Sequence, residues 1–130
     1  MAYADWKTRL RVFAQRFAQP TCACMLAMSA PSFVALVSLP HWRIALQTGL
    51  GTGVLAVLLT FTPIGRLFAN RYGNAFVMGV LTAIADAVVH PGHFGPFPYA
   101  EAIVTGVVSG LIVLATSFLI EDRGRRVREA

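Results

Sequence analysis

Charge is scarce in this chain: only 13% of its 130 residues are Asp, Glu, Lys or Arg. A soluble domain of this length carries about a quarter charged residues, because it must wrap an apolar core in a solvated shell. That shell cannot be built here, and 56% of the residues are hydrophobic. Cysteine is equally sparse. Cys22 and Cys24 are the two in the chain, which rules out a disulfide framework. No nucleophile–base pair, phosphate loop or catalytic zinc motif is present, so the chain does not read as an enzyme. An N-terminal signal would need a small-x-small cleavage site after its apolar run, and none closes before Pro31, so the segment is expected to be retained.

The net charge of +5 does not signal nucleic acid. Basic residues cluster at the two ends and in one connection, not on one face of a folded surface, and anionic headgroups are the expected partner. Residues 1–19 set Tyr3, Trp6, Leu10, Phe13 and Phe17 at spacings of three and four among Lys7, Arg9, Arg11 and Arg16. This pattern predicts an amphipathic basic helix in the headgroup plane, broken near Pro20.

What is abundant comes in long apolar blocks. Four are expected to span a membrane as helices: about 21–39, with a kink at Pro31, then 44–62, 74–90 and 100–120. Residues 20–120 thus form an all-α, polytopic four-helix domain, followed by a basic tail at 121–130. Four spans put Lys7, Arg9, Arg11, Arg16, Arg66, Arg71, Arg123, Arg125, Arg126 and Arg128 on one side, and Arg43 alone on the other. Basic residues collect on the cytoplasmic side, so both ends are expected there, in a bacterial-type inner membrane.

A repeat runs through these blocks. Ala45, Thr48-Gly49, Thr52-Gly53 and Phe61 recur as Ala102, Thr105-Gly106, Ser109-Gly110 and Phe118, at a constant offset of 57. The blocks before them end alike, in Leu39-Pro40-His41 and His90-Pro91-Gly92-His93. The pattern reads as a duplicated two-helix hairpin whose halves run parallel about an axis along the membrane normal. Gly49-x-x-x-Gly53 and Gly106-x-x-x-Gly110 let helix backbones approach closely, which predicts that the second and fourth spans pack on each other or on a neighbouring subunit.

Asp86 is the most informative single residue. An ionised carboxylate within a span costs a few kcal/mol, so it is expected to have a purpose or a partner. His90 lies one turn away on the same face, and Thr82 one turn deeper. Together they form a candidate proton or transport site. The connection from His90 to Tyr99, with its prolines, glycines and aromatics, suits a turn in the headgroup layer. His90, His93, His41 and Glu101 share that side as candidate metal ligands. A softer set, Cys22, Cys24 and Met28, suits a thiophilic ion, but residues two apart on a helix face different ways.

Three functions compete: a small permeation or export protein acting as a homo-oligomer, a non-catalytic accessory or assembly subunit of a larger membrane complex, and a metal-handling membrane protein. The first is the expectation carried forward.

Overall fold

The computed structural model describes residues 2–29, 33–89 and 99–129, and all regular structure in them is helical. Four α-helices, α1 (Ala2–Ser29), α2 (Leu39–Leu59), α3 (Arg71–Val89) and α4 (Ala100–Glu129), are joined in part by 3-10 segments at Phe33–Val37 and Pro63–Ala69. Local chemistry sets the boundaries. Pro40 at the start of α2 gives up an amide that has no intrahelical partner there anyway. At its other end, the Thr60 and Thr62 hydroxyls add bonds to the carbonyls of Val57 and Leu59, at 2.6 and 2.8 Å, beside those from their own amides. Asn70 caps α3 by accepting the Tyr72 amide on its Oδ1 at 3.0 Å.

The helices alternate in direction and form a ring: α1 packs on α2, α2 on α3, α3 on α4, and α4 on α1. One end gathers the end of α1, the starts of α2 and α4, and the end of α3. The other carries the Pro63–Ala69 segment, the Arg71–Glu121 ion pair and the Gln19 Nε2–Thr116 Oγ1 hydrogen bond.

The packing inverts that of a soluble bundle. Many of the buried residues are small or polar, Ala45, Thr48, Thr52 and Ala56 on α2, Thr82, Ala85 and Asp86 on α3, Ala102, Thr105 and Ser109 on α4, beside a few larger ones such as Met78, Leu81 and Val113. The large apolar side chains point outward, among them Leu50, Leu58, Phe76, Val88, Ile103 and Leu111. In water such a surface would far exceed the apolar patch a monomer tolerates; in hydrocarbon it is the favoured arrangement. Helices α2, α3 and α4 are each long and apolar enough to cross a membrane. Both observations support a multi-pass membrane protein.

The first expected span takes a different form. Helix α1 does not break at Pro20 but runs through it, and Pro20 is buried among its neighbours. The proline removes one bond, to the Arg16 carbonyl, which protein packing makes tolerable in a membrane helix. Residues 21–39 are not one helix. Helix α1 stops at Ser29, Phe33–Val37 is a separate exposed turn, and α2 begins at Leu39. The expected kink at Pro31 lies outside the described residues. In compensation, Phe13, Phe17 and Thr21 lie along α2, so α1 enters the bundle earlier than its hydropathy suggests.

The two glycine pairs sit in matching places, though not against each other. Among the described residues α2 and α4 make no contact, being diagonal in the ring. Gly49 faces Phe17 and Thr21, and Gly53 faces Phe13; Gly106 faces Gly79 and Ala83, and Gly110 faces Ala75 and Gly79. Each glycine face therefore receives the helix that precedes it. The residues met on α1 and α3, namely Phe13, Phe17 and Thr21 against Ala75, Gly79 and Ala83, stand 62 apart. Burial follows the 57-residue register as well: Ala45 with Ala102, Thr48 with Thr105, Thr52 with Ser109 and Ala56 with Val113 are all buried.

Candidate functional site

Asp86 lies one turn before the end of α3 and is 0% exposed. Three helices meet at its carboxylate. Its Oδ1 accepts the Thr48 hydroxyl from α2 at 3.2 Å and the Cys24 thiol from α1 at 3.2 Å. Cys24 also lies 3.9 Å from Thr48 Oγ1. A thiol has one proton, and the carboxylate oxygen is both nearer and the stronger acceptor, so the S–H points to Asp86. Both donors offset part of the cost of holding a carboxylate at this depth. Helix periodicity explains the convergence: Cys24 shares the buried face of α1 with Pro20, Thr21 and Met28, and Thr48 shares that of α2 with Ala45 and Thr52.

A second hydrogen-bonded pair lies one turn away along α3. Thr82 Oγ1 donates to the Met78 carbonyl at 2.7 Å and lies 2.9 Å from Ser109 Oγ on α4. Its proton being committed to the carbonyl, Ser109 is the donor across the interface. Thr52 Oγ1 donates to the Thr48 carbonyl at 2.8 Å. Thr105 completes the layer, fully buried on α4. The core thus holds a carboxylate, a thiol and hydroxyls drawn between them from all four helices.

Of the predicted site residues, Asp86 and Thr82 occupy this layer, whereas His90 and His93 lie outside the described residues. His41 is engaged locally, its Nδ1 2.7 Å from Ser38 Oγ just before α2. Glu101, in the first turn of α4, has buried carboxylate oxygens at the same end of the bundle as Asp86. Among the described residues no group of three or more His, Cys, Asp or Glu side chains is arranged to hold a metal ion. Cys22 is exposed while Cys24 is buried, as their spacing of two dictates, so they do not form a chelate. Met28 packs with Cys24, Met25 and Ala45 as apolar filling.

Sequence reasoning did not find the partnership of Cys24 and Thr48 with Asp86, nor the role of Ser109. Nor did it find Gly79, whose signal was legible: Ala75, Gly79 and Ala83 repeat small residues every four positions, the spacing of a close helix contact. No family model, curated protein or solved structure matches this chain.

Proposed function

We propose that this chain is a four-span inner-membrane protein that permeates or exports a small ion or solute as a homo-oligomer. Asp86 is the group that takes up and releases the proton or cation. The observation that carries this reading is a carboxylate buried at 0% exposure where three helices converge, with a thiol and a hydroxyl donating to it. The hydroxyls of Thr82 and Ser109 continue the polar layer along the bundle and supply further steps for a proton or coordination for a desolvated cation. Four short helices enclose little volume, which favours assembly of several copies.

In this reading the part of α1 from about Phe13 onward is the fourth span, and the preceding basic turns, with Trp6 and Leu10 exposed, lie in the headgroup layer. Both chain ends are cytoplasmic, in keeping with the collection of Arg16, Arg71 and Arg125 at one end of the bundle. The matching burial at offsets of 57 and 62 supports descent from two copies of one hairpin.

Liposomes loaded with a pH-sensitive dye or a cation reporter test the function. The wild type is expected to dissipate an imposed gradient and Asp86→Asn to abolish that flux, while circular dichroism shows the same helix content. Flux equal to that of empty liposomes overturns the reading. Reporter fusions at the two chain ends test the span count separately, with both expected in the cytoplasm.

A further inference from the structure

A second polar feature lies at the opposite end of the bundle from Asp86. A cavity of about 240 Å³ opens between α1, α4, the start of α3 and the Pro63–Ala69 segment, and Gln15, Arg16, Gln19, Asn74, Thr116 and Ser117 contribute its polar lining. The lining holds one cation and no carboxylate. Arg16 is partly buried, and its guanidinium stacks on the Phe68 ring, 4.2 Å from the centroid. The arginines that end α4 behave otherwise: Arg125 pairs with Glu121 and Arg126 with Asp122, in exposed i,i+4 bridges. No such salt bridge to Arg16 occurs among the described residues.

The donors that remain define the ligand. The Thr116 and Ser117 hydroxyls donate to carbonyls of their own helix, at 2.8 and 2.6 Å, and Gln19 Nε2 donates to Thr116 Oγ1 at 2.8 Å. The donors left for a guest are thus the guanidinium fork and the remaining amide N–H groups, a set suited to anionic oxygens. Asn74 lines the same cavity.

We infer that this cavity is a binding site for a phosphate group: Arg16 takes the anionic oxygens in its guanidinium fork. The face of Phe68 fixes the guanidinium plane, which the bidentate geometry requires. The volume is ample, since a water occupies about 30 Å³ of liquid. The phosphate has two sources, a phospholipid headgroup or the free ion.

The full chain, purified in mild detergent and exchanged into nanodiscs, separates them. One arm compares retention of phosphatidylglycerol and phosphatidylcholine by native mass spectrometry. The other titrates inorganic phosphate into lipid-free detergent and follows the thermal midpoint. Preferential retention of phosphatidylglycerol, reduced about tenfold or more in Arg16→Gln but not in the exposed Arg9→Gln, identifies a headgroup site. A phosphate-dependent rise in midpoint, lost in Arg16→Gln, identifies a free-ion site. Asn74→Asp keeps the side-chain size and sets a carboxylate in the same cavity as Arg16. It is expected to expel either ligand and carries the test if Arg16→Gln does not fold. Binding of both probes by Asn74→Asp as by the wild type overturns the proposal, as does a wild type that prefers neither.

Discussion

Replacing Gly106 with alanine adds one carbon at the tightest point of the α3–α4 seam. That carbon would lie 2.6 Å from the Gly79 carbonyl oxygen and 2.7 Å from Ala83 Cβ. Ordinary contact begins about 3.4 Å away, and neither neighbour is the loose end of a long side chain, so the helices themselves must part by most of an ångström. A gap of 0.5–1 Å forfeits roughly a quarter to a half of each dispersion well along the contact, and overpacking of this kind costs about 1–3 kcal/mol. Alanine also has the better helix propensity, by up to about 1 kcal/mol, which masks part of that cost. Gly51→Ala supplies the control: the added carbon there meets Ala85 Cβ at 3.5 Å, an ordinary contact, in another spanning helix. Both variants gain the same propensity, so the difference between them reports the seam alone, about 1–3 kcal/mol. Reversible unfolding in mixed micelles with rising SDS, followed by circular dichroism, measures it. Equal stability of Gly106→Ala and Gly51→Ala would refute the close α3–α4 approach.

The remaining predictions use the same unfolding assay. Thr82→Val and Ser109→Ala each lose the 2.9 Å bond, and a double-mutant cycle should return a coupling of about 0.6 kcal/mol and at most about 1.7, as for other interhelical bonds in membranes. Zero coupling would show that the two hydroxyls do not meet. Cys24→Ser preserves a donor to Asp86 and should stay within about 1 kcal/mol of wild type, whereas Cys24→Ala should cost more; the reverse order would refute the hydrogen bond. Hydrogen bonding from Arg125, with the nearby Arg71 charge, holds the Glu121 carboxyl below the usual carboxylate range. A depressed folded-state pKa contributes stability that is present above the ordinary carboxylate pKa and lost as pH falls through the lowered value. Glu121→Gln should therefore flatten the acid limb of the stability–pH curve, more in low salt than in high because the group is exposed. An unchanged acid limb would refute the linkage.

Much of the bundle was legible because hydrocarbon imposes a strict rule on hydropathy and helix length. The blocks at 44–62, 74–90 and 100–120 became α2, α3 and α4; α4 runs on through most of the expected tail to Glu129, and the other ends shift less, where capping by Asn70 and the threonines depends on hydroxyl and amide geometry that hydropathy ignores. The first block misled for a definite reason. Leu36, Val37 and Leu39 extend its apolar run but belong to an exposed 3-10 turn and to the start of α2, while Arg11 and Arg16 hide the helical face that carries Phe13 and Phe17. Asp86 stood out in the sequence because carboxylates are rare in such helices. Cys24 and Thr48 did not, because thiols and threonines are common in them, and only tertiary packing joins positions 62 and 38 residues away. The glycine partners were assigned to the wrong neighbours, because a small-residue motif states how close a helix may come and not which one.

The positions of Cys24 and Asp86 carry one more consequence. They stand 62 residues apart, the same interval that relates the contact residues of α1 to those of α3. On the proposed duplication they are one ancestral position seen twice, facing itself across the bundle axis. A pair of identical C-terminal hairpins would set two acids nose to nose, where like charges keep both from ionising together. Fusion of the copies would let the twins differ, a weak proton donor at Cys24 and an acid at Asp86, and would remove that repulsion.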